Sequence, residues 1–285
     1  MTRTAAGWRV ELTRVLGTIA RVEPIAGGDI NDAWRVVLAD GRRAFVKTHP
    51  EPPPGMYTAE AEGLAWLAEG PLRVPQVLAA GDGFLALEWL ELGVRGQGAE
   101  FAEQLGRGLA ELHGFGAPEL GYPSDNYLAM LPQDNTPASD LPTFWIERRL
   151  RPTIDRLDDR ALVTRLERRL DELAARPERF GPAERPARLH GDLWWGNVGS
   201  ASGGEPVIFD PAVYGGHREI DLAMLALFGG LGDTLVAAYQ EVRPLSPEWR
   251  ERLRLWQLYP LAAHAVLFGG SYVSQLARSL DAIVA

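Results

Sequence analysis

The apolar positions along the chain follow two periods, and the change from one to the other divides the sequence. An opening helix covers roughly residues 7–17, and strand-like segments follow it. In "AWRVVLADGRRAFVKTH", Trp34, Val36 and Leu38 alternate onto one face, and Asp40-Gly41 is a dipeptide favoured in tight hairpin turns. That segment therefore predicts two antiparallel strands. "PEPPPGM" (50–56) is a proline-rich loop, and "TAEAEGLAWLAEG" predicts a helix stopped by Gly70-Pro71. Residues 84–90 give one more short apolar strand. Beyond Gly93 the period lengthens: Phe101, Leu105, Leu109 and Leu112 recur at helical spacing, and this helix stops at Gly114. "TFWIERRLRPTIDRL", "ALVTRLERRLDELAARP", "EIDLAMLALFG", "LGDTLVAAYQEV" and "PEWRERLRLWQLYPLAAHAVLFG" predict further helices. Only "RLHGDLWWGNVGS" and "EPVIFDPAVYGG" interrupt them with short extended pieces. The order predicts an α+β fold with a small β-rich lobe over residues 1–90 and a larger helical lobe over residues 91–285. It lacks the strand–helix alternation of a Rossmann sheet.

Composition changes this picture little. A chain of 285 residues with 46% hydrophobic and 24% charged residues has the make-up of a globular protein. No apolar run approaches the ~20 residues of a membrane span, and the polar N-terminus does not read as a signal peptide. The absence of cysteine excludes disulfides and thiolate metal sites. A cytoplasmic enzyme is the simplest reading, with no membrane partner. The net charge of −9 argues against nucleic acid as a partner. It does not exclude a phosphate ligand, because screening over ~8 Å leaves such a ligand to its nearest neighbours.

The candidate chemistry lies in the two extended interruptions. Asp192 and Asn197 stand five apart in "HGDLWWGN", and Asp210 follows on "VIFDP". Kinase phosphoryl transfer uses these parts in this order: an Asp as base, an Asn on Mg²⁺ and a downstream Asp on Mg²⁺. A hydroxyl nucleophile needs a carboxylate to take its proton, and Mg²⁺ prefers oxygen ligands shared with phosphates. Either Asp alone could simply cap a turn or a strand end. The three in order, on loops after apolar strands, make that reading a poor one.

The first lobe offers matching pieces. Gly27, Gly28 and Asn31 lie in a loop between two strands that could bring backbone N–H groups over phosphates, although Gly-Gly is also a common turn. Lys47 sits in a strand, as the kinase lysine does. Glu60 in the next helix is its natural partner and Glu62 the competitor. Glu88 and Leu90, where the lobes would join, are positions whose backbone could meet adenine. His113 and His264 read as packed core histidines, and His190 as a brace for the catalytic loop's backbone. The arginine-rich run from "RLRP" through "RLERRLDEL" reads as a solvated helix face.

Together these residues resemble the fructosamine kinase (ketosamine-3-kinase) family, which has a bilobal protein-kinase-like fold related to aminoglycoside and choline kinases. "LHGDLWWGNV" is close to that family's signature. "FDPAVYGGHREIDLAM", "LGRGLAELHG", "DNYLAMLPQDNT", "ERRLRP" and "LYPLAAHAVLFGGSY" also fit, so the resemblance covers nearly the whole chain. It implies that Asp192 is the base, that Asn197 and Asp210 hold Mg²⁺, and that Lys47 and Glu60 position ATP. It implies as acceptor a sugar 3-hydroxyl on a ketosamine, free or on a glycated protein, whose phosphorylation releases the amine. Trp194, Trp195, Asn126, Gln133, Tyr214, His217 and Glu219 become candidates for the sugar-amine side, with at least one of the tryptophans expected in the core.

The sequence departs from the family pattern at Leu141-Pro142, where a tryptophan is expected, and at Ala265-Val266, where an asparagine often follows the helix histidine. Without cysteine, a disulfide switch in the glycine loop is impossible. Two other readings stay open: a kinase of the same fold for an aminoglycoside or choline, and a nucleotide-binding pseudokinase acting only as a partner.

Overall fold

The alternating segments build an antiparallel sheet covered on both faces. The computed structural model describes residues 7–26, 30–93 and 98–283, so Gly27 and Gly28 lie outside the described residues. Strands β1 (Ile19–Ile25), β2 (Asp32–Leu38), β3 (Arg43–Thr48), β4 (Val77–Gly81) and β5 (Phe84–Glu88) form one sheet in the order β1-β2-β3-β5-β4. The β2–β3 hairpin turns at Asp40-Gly41, with Gly41 at φ 89°. Trp8 and Leu12 of helix α1 (Gly7–Leu16) pack on one face against Val36, Leu38, Ala44, Val46, Phe84 and Ala86. Helix α2 (Met56–Leu67) packs Met56, Tyr57 and Leu64 against Leu85 and Leu87, with Phe45 beside them. Side chains on a strand alternate between faces, so Lys47 shares the α2 face with Phe45. Burial on both sides also explains why "FLALE" reads as an unbroken apolar run.

The second region is helical around a large core. It contains α3 (Ala99–Phe115), α6 (Arg160–Ala174), α7 (Glu219–Leu227), α8 (Asp233–Val242), α9 (Trp249–Phe268) and α10 (Ser271–Ile283). The predicted helix at "TFWIERRLRPTIDRL" has three parts. A short α4 (Leu141–Thr143) runs into a π-helical segment, Phe144–Leu150, and then α5 (Arg151–Ile154). Three small antiparallel pairs carry the loops: β6 (Asn126–Leu128) with β7 (Leu131–Gln133), β8 (Ala187–Leu189) with β11 (Tyr214–Gly216), and β9 (Val198–Ser200) with β10 (Pro206–Ile208). The β6–β7 hairpin and α10 are not among the elements predicted from the sequence, although α10 buries Leu276 and Leu280 at helical spacing. Among the described residues no helix is long and apolar enough to cross a membrane.

One core cluster spans the junction of the two regions. Leu67 and Leu72 pack with Leu105, Leu109, Leu193, Val198, Ile208 and Val213, so the apolar residues flanking Asp192 and Asp210 anchor both loops in shared core. α3 approaches α8 closely because Gly106 has no side chain: a Cβ there would lie 2.3 Å from the Leu235 carbonyl oxygen.

Candidate active site

The loop after β8 owes its shape to a buried carboxylate outside it. Asp221 in α7 is fully buried and accepts from the backbone N–H of His190 at 2.8 Å and of Gly191 at 3.0 Å. His113 of α3 completes the anchor, with Nε2 3.2 Å from Asp221 and Nδ1 2.8 Å from the Tyr239 hydroxyl. An ionised Asp221 assigns the ring proton to Nε2, so Nδ1 accepts from Tyr239. Burial works to raise Asp221, but its bonds and charge contacts to His113 and His190 hold it below the ordinary carboxylate range. Gly191 takes φ 81°, and a Cβ there would come within 2.0 Å of the Ala212 carbonyl oxygen. Only glycine fits this turn. His190 then joins the two loops: Nε2 lies 3.0 Å from the Phe209 carbonyl oxygen, while Nδ1 accepts from the Asp192 N–H at 3.3 Å.

Asp192, Asn197 and Asp210 converge on this frame. Asn197 donates from Nδ2 to the Asp192 carbonyl oxygen at 2.9 Å and to Asp192 Oδ2 at 3.1 Å. Those bonds use the amide nitrogen and leave Oδ1 as the donor atom for a cation. Burial and the charge of Asp210 push Asp192 well above the ordinary carboxylate range, against the pull of Asn197. A carboxylate raised in this way is suited to accept a proton. Asp210 sits at φ 61°, a left-handed conformation uncommon outside glycine. Its Oδ1 accepts from Lys47 Nζ at 2.5 Å, and Lys47 also donates to Glu60 Oε1 at 2.6 Å. Burial would lower Lys47, but Asp210 and Glu60 outweigh it and hold the ammonium above its usual range. Glu62 turns elsewhere and accepts from Ser124 Oγ at 3.0 Å. Among the described residues no three His, Cys, Asp or Glu side chains cluster as a metal cage. An Asp and an Asn oxygen are the ligand types Mg²⁺ takes when it keeps few protein ligands and shares the rest with phosphates.

The two tryptophans separate. Trp195 packs edge-on against Phe101 at 6.2 Å, against the junction core, and is half-buried. Trp194 folds its ring over Gly196, where a Cβ would meet the indole at 2.1 Å, and it stays half-buried. From Trp194 a row of packed rings runs outward: Phe228 at 5.6 Å, His264 at 5.3 Å from Phe228, and Tyr272 at 4.9 Å from His264. Phe268 closes it and is 48% exposed. His264 donates through Nδ1 to the Pro260 carbonyl oxygen at 2.7 Å, and burial lowers its pKa, so the ring is neutral. His264 is thus packed among three rings, as its helix pattern suggested, although at a half-buried position.

Several sequence candidates point away from the cleft. Tyr214, His217 and Glu219 are buried. His217 stacks on Trp256 at 5.2 Å, and Glu219 accepts from Arg252 at 2.6 and 2.9 Å and from Trp256 Nε1 at 3.0 Å. Tyr214 lies under the guanidinium of Arg149. These three hold the second region together and do not line an acceptor site, because apolar burial and inward partners occupy them. Asn126 is likewise committed, donating to the Val213 carbonyl oxygen at 2.7 Å. Gln133 is 1% exposed, yet neither its amide nitrogen nor its oxygen has a protein partner. In the first region, Asn31 accepts from the Tyr57 hydroxyl at 3.0 Å. The Glu88 N–H donates to the Gln76 carbonyl oxygen at 2.8 Å, and Leu90 is half-buried. Sequence reasoning missed Asp221 as the loop anchor, although "EIDLAM" carries it in plain view, and it missed the inward turn of Arg149.

A sheet-bearing lobe that supplies a buried Lys–Glu pair, facing a helical lobe that supplies Asp192, Asn197 and Asp210, defines a phosphotransferase of the protein-kinase-like class. The fold is shared with an aminoglycoside phosphotransferase, at a TM-score of 0.66 and 16% identity over 99% of this chain and 98% of that one. The sequence profile described as fructosamine kinase matches residues 1–285, and the chain belongs to that family. A "probable ketoamine kinase" of Enterococcus faecium is 38% identical over 268 residues, 92% of this chain and 94% of that protein. A chloroplastic protein-ribulosamine 3-kinase of Oryza sativa subsp. japonica is 35% identical over 275 residues, 92% of this chain and 78% of that protein. The crystal structure of a "putative fructosamine-3-kinase" from Thermobifida fusca superimposes with a TM-score of 0.87 at 41% identity, covering 99% of each chain.

Proposed function

We propose that this kinase transfers the γ-phosphoryl group of ATP to the 3-hydroxyl of ketosamines, and that the resulting release of the amine serves deglycation of glycated amines or proteins. The observation that carries this reading is the half-buried Trp194, two residues from Asp192 and packed on the aromatic row of Phe228 and His264. A ketosamine places a polar sugar next to an amine that is cationic when protonated. Aromatic faces favour such a cation by roughly 0.5–2 kcal/mol, depending on desolvation. Membership of the fructosamine kinase family and the printed activity of the rice relative support the same acceptor.

In this mechanism Asp192 hydrogen-bonds the 3-hydroxyl and takes its proton as the oxygen attacks the γ-phosphorus. ADP leaves from the opposite side, and the product is the 3-phosphate ester. Lys47, held by Glu60, pairs with the α/β-phosphates, and Asn197 holds Asp192 in place for its role as base. Asp210 and Asn197 Oδ1 would hold Mg²⁺, which neutralises phosphate charge when bound. Positioning and electrostatics supply most of the acceleration. The cytoplasm, which supplies ATP and Mg²⁺, is the setting we assign to it.

ADP release measured with ribulose-, erythrulose- and fructose-derived adducts of lysine and of protein, against aminoglycosides and choline, tests the acceptor. Mg²⁺-dependent turnover of at least one ketosamine is expected. Turnover of an aminoglycoside or choline alone would replace this reading with the same-fold alternative. ATP binding with no turnover of any acceptor would make the chain a pseudokinase.

A further inference from the structure

Arg149 is fully buried, and the transfer chemistry above makes no use of it. Its position follows from the π-helical segment. There, residues five apart stack along one face, as the Arg151 N–H bonded to the Ile146 carbonyl oxygen illustrates. The guanidinium therefore lies over Phe144, five residues earlier, at 4.6 Å, with its other contact on Tyr214 at 4.1 Å. Its neighbour Asp134 gives its carboxylate to Arg148 at 2.9 Å, so Arg149 takes neutral acceptors instead. Nη1 donates to the Asp134 carbonyl oxygen at 2.6 Å and Nη2 to Asn135 Oδ1.

A buried cation with neutral partners fixes which way those partners face. Arg149 can only donate, so Asn135 must present its oxygen and turn Nδ2 away. That nitrogen donates to Asn126 Oδ1 at 3.0 Å, and Asn126 then presents Nδ2 to the Val213 carbonyl oxygen at 2.7 Å. The chain of donors runs in one direction, from the guanidinium to a residue three positions past Asp210. Tyr214, on which the guanidinium lies, also reaches the catalytic loop: a Cβ on Gly191 would come within 3.1 Å of its Cε1. Both functional loops therefore rest on the same buried charge.

We propose that Arg149 is a positioning residue for phosphoryl transfer, orienting Asn135 and Asn126 so that Val213, and with it Asp210, is held against the catalytic loop. This rests on the roles assigned above to Asp192 and Asp210. Lysine cannot replace it, because a single ammonium cannot lie flat between two rings while donating in plane to two separate oxygens.

Arg149→Lys should lower kcat at least about tenfold while the KM for ATP stays within about twofold and the melting transition stays above the assay temperature. Asn126→Asp removes the donor to Val213 without touching Arg149 and should give the same split. The double variant should be no slower than the slower single, because both break one relay. Hydrogen exchange at residues 210–214 should quicken in both variants while α2 is unchanged, and this readout needs no acceptor. If no ketosamine is turned over but exchange responds in this way, the acceptor assignment fails and the relay stands. Wild-type exchange at residues 210–214, wild-type kcat in both single variants, or losses that multiply in the double variant would overturn it. If Arg149→Lys does not fold, Asn126→Asp decides alone.

Discussion

The side of the candidate site around Asp192 and the aromatic side beside Trp194 differ in how fully their atoms are engaged. Around Asp192, nearly every polar group has a fixed partner: Asp221 holds two loop N–H groups, Asn197 holds Asp192, and Lys47 bridges Glu60 and Asp210. Along the row of rings from Trp194 to Phe268, side chains meet mainly through ring edges and faces, and Phe268 at the outer end is exposed. Chemistry that depends on where a proton and a charge lie needs groups that cannot rotate, whereas selecting an acceptor needs a surface that can adjust. The difference teaches where change is tolerated: substitutions on the first side should stop the reaction, and on the second they should change what enters.

The largest expected effect is Asp192→Asn. It removes the proton acceptor and should cut kcat by ~10²–10⁴, roughly 3–5 kcal/mol of barrier, with ATP binding retained by calorimetry. A variant with near wild-type kcat would show that the first side does not hold the base. Lys47→Met leaves Glu60 buried without its cation, and chemical denaturation should report a loss of about 3 kcal/mol. That is the lower end for a broken buried pair, since Asp210 is 39% exposed and solvent screens part of the loss.

The pH dependence of stability samples both sides. Burial lowers the pKa of His190 on the first side, of His264 on the second, and of His217 in the core behind. A histidine with a depressed folded value binds its proton more readily unfolded. Stability is therefore complete above the unfolded value, near 6.5, and is lost as pH falls below it. Thermal melts should change little between pH 7.5 and about 6.5 and then fall toward pH 5.5, by at most about 1.4 kcal/mol per histidine per pH unit. Gly196→Ala has no room beneath the Trp194 ring and should swing it aside, raising the ketosamine KM about tenfold at unchanged ATP KM. Phe268→Ala at the open end should be the mildest, a two- to fivefold rise in acceptor KM, matching ~0.5–1 kcal/mol for an exposed aromatic contact with a cation. Equal loss of ATP binding in these last two would erase the contrast between the sides.

Much of this arrangement was legible in the chain. Alternation in "AWRVVL" and "AFVKT" sets the hairpin and puts Lys47 on one face of it. The spacing of Asp192, Asn197 and Asp210 names the chemistry, because local order along a loop is enough to specify it. Glu60, read as the natural partner of Lys47 with Glu62 as competitor, does pair with it, and the packing of α2 against β3 is what turns Glu62 away to Ser124. The "YGGHRE" residues looked like a substrate loop because polar side chains near a catalytic motif suggest contact. Packing against Trp256 and Arg252 turned them inward.

The sequence by itself determined the lobes, the helix at "TFWIERRLRP" and the carboxylate–amide order of the site, because each depends on neighbours a few residues apart. Only the tertiary structure decided that Asp221 and His113 anchor the loop of Asp192, that Trp194 packs on Phe228 while Trp195 packs on Phe101, and that Arg149 is buried instead of solvated. A helical period cannot distinguish an exposed arginine from one that a π-turn places on an aromatic face. That distinction is made by what lies opposite, and Tyr214 comes from a strand sixty-five residues away.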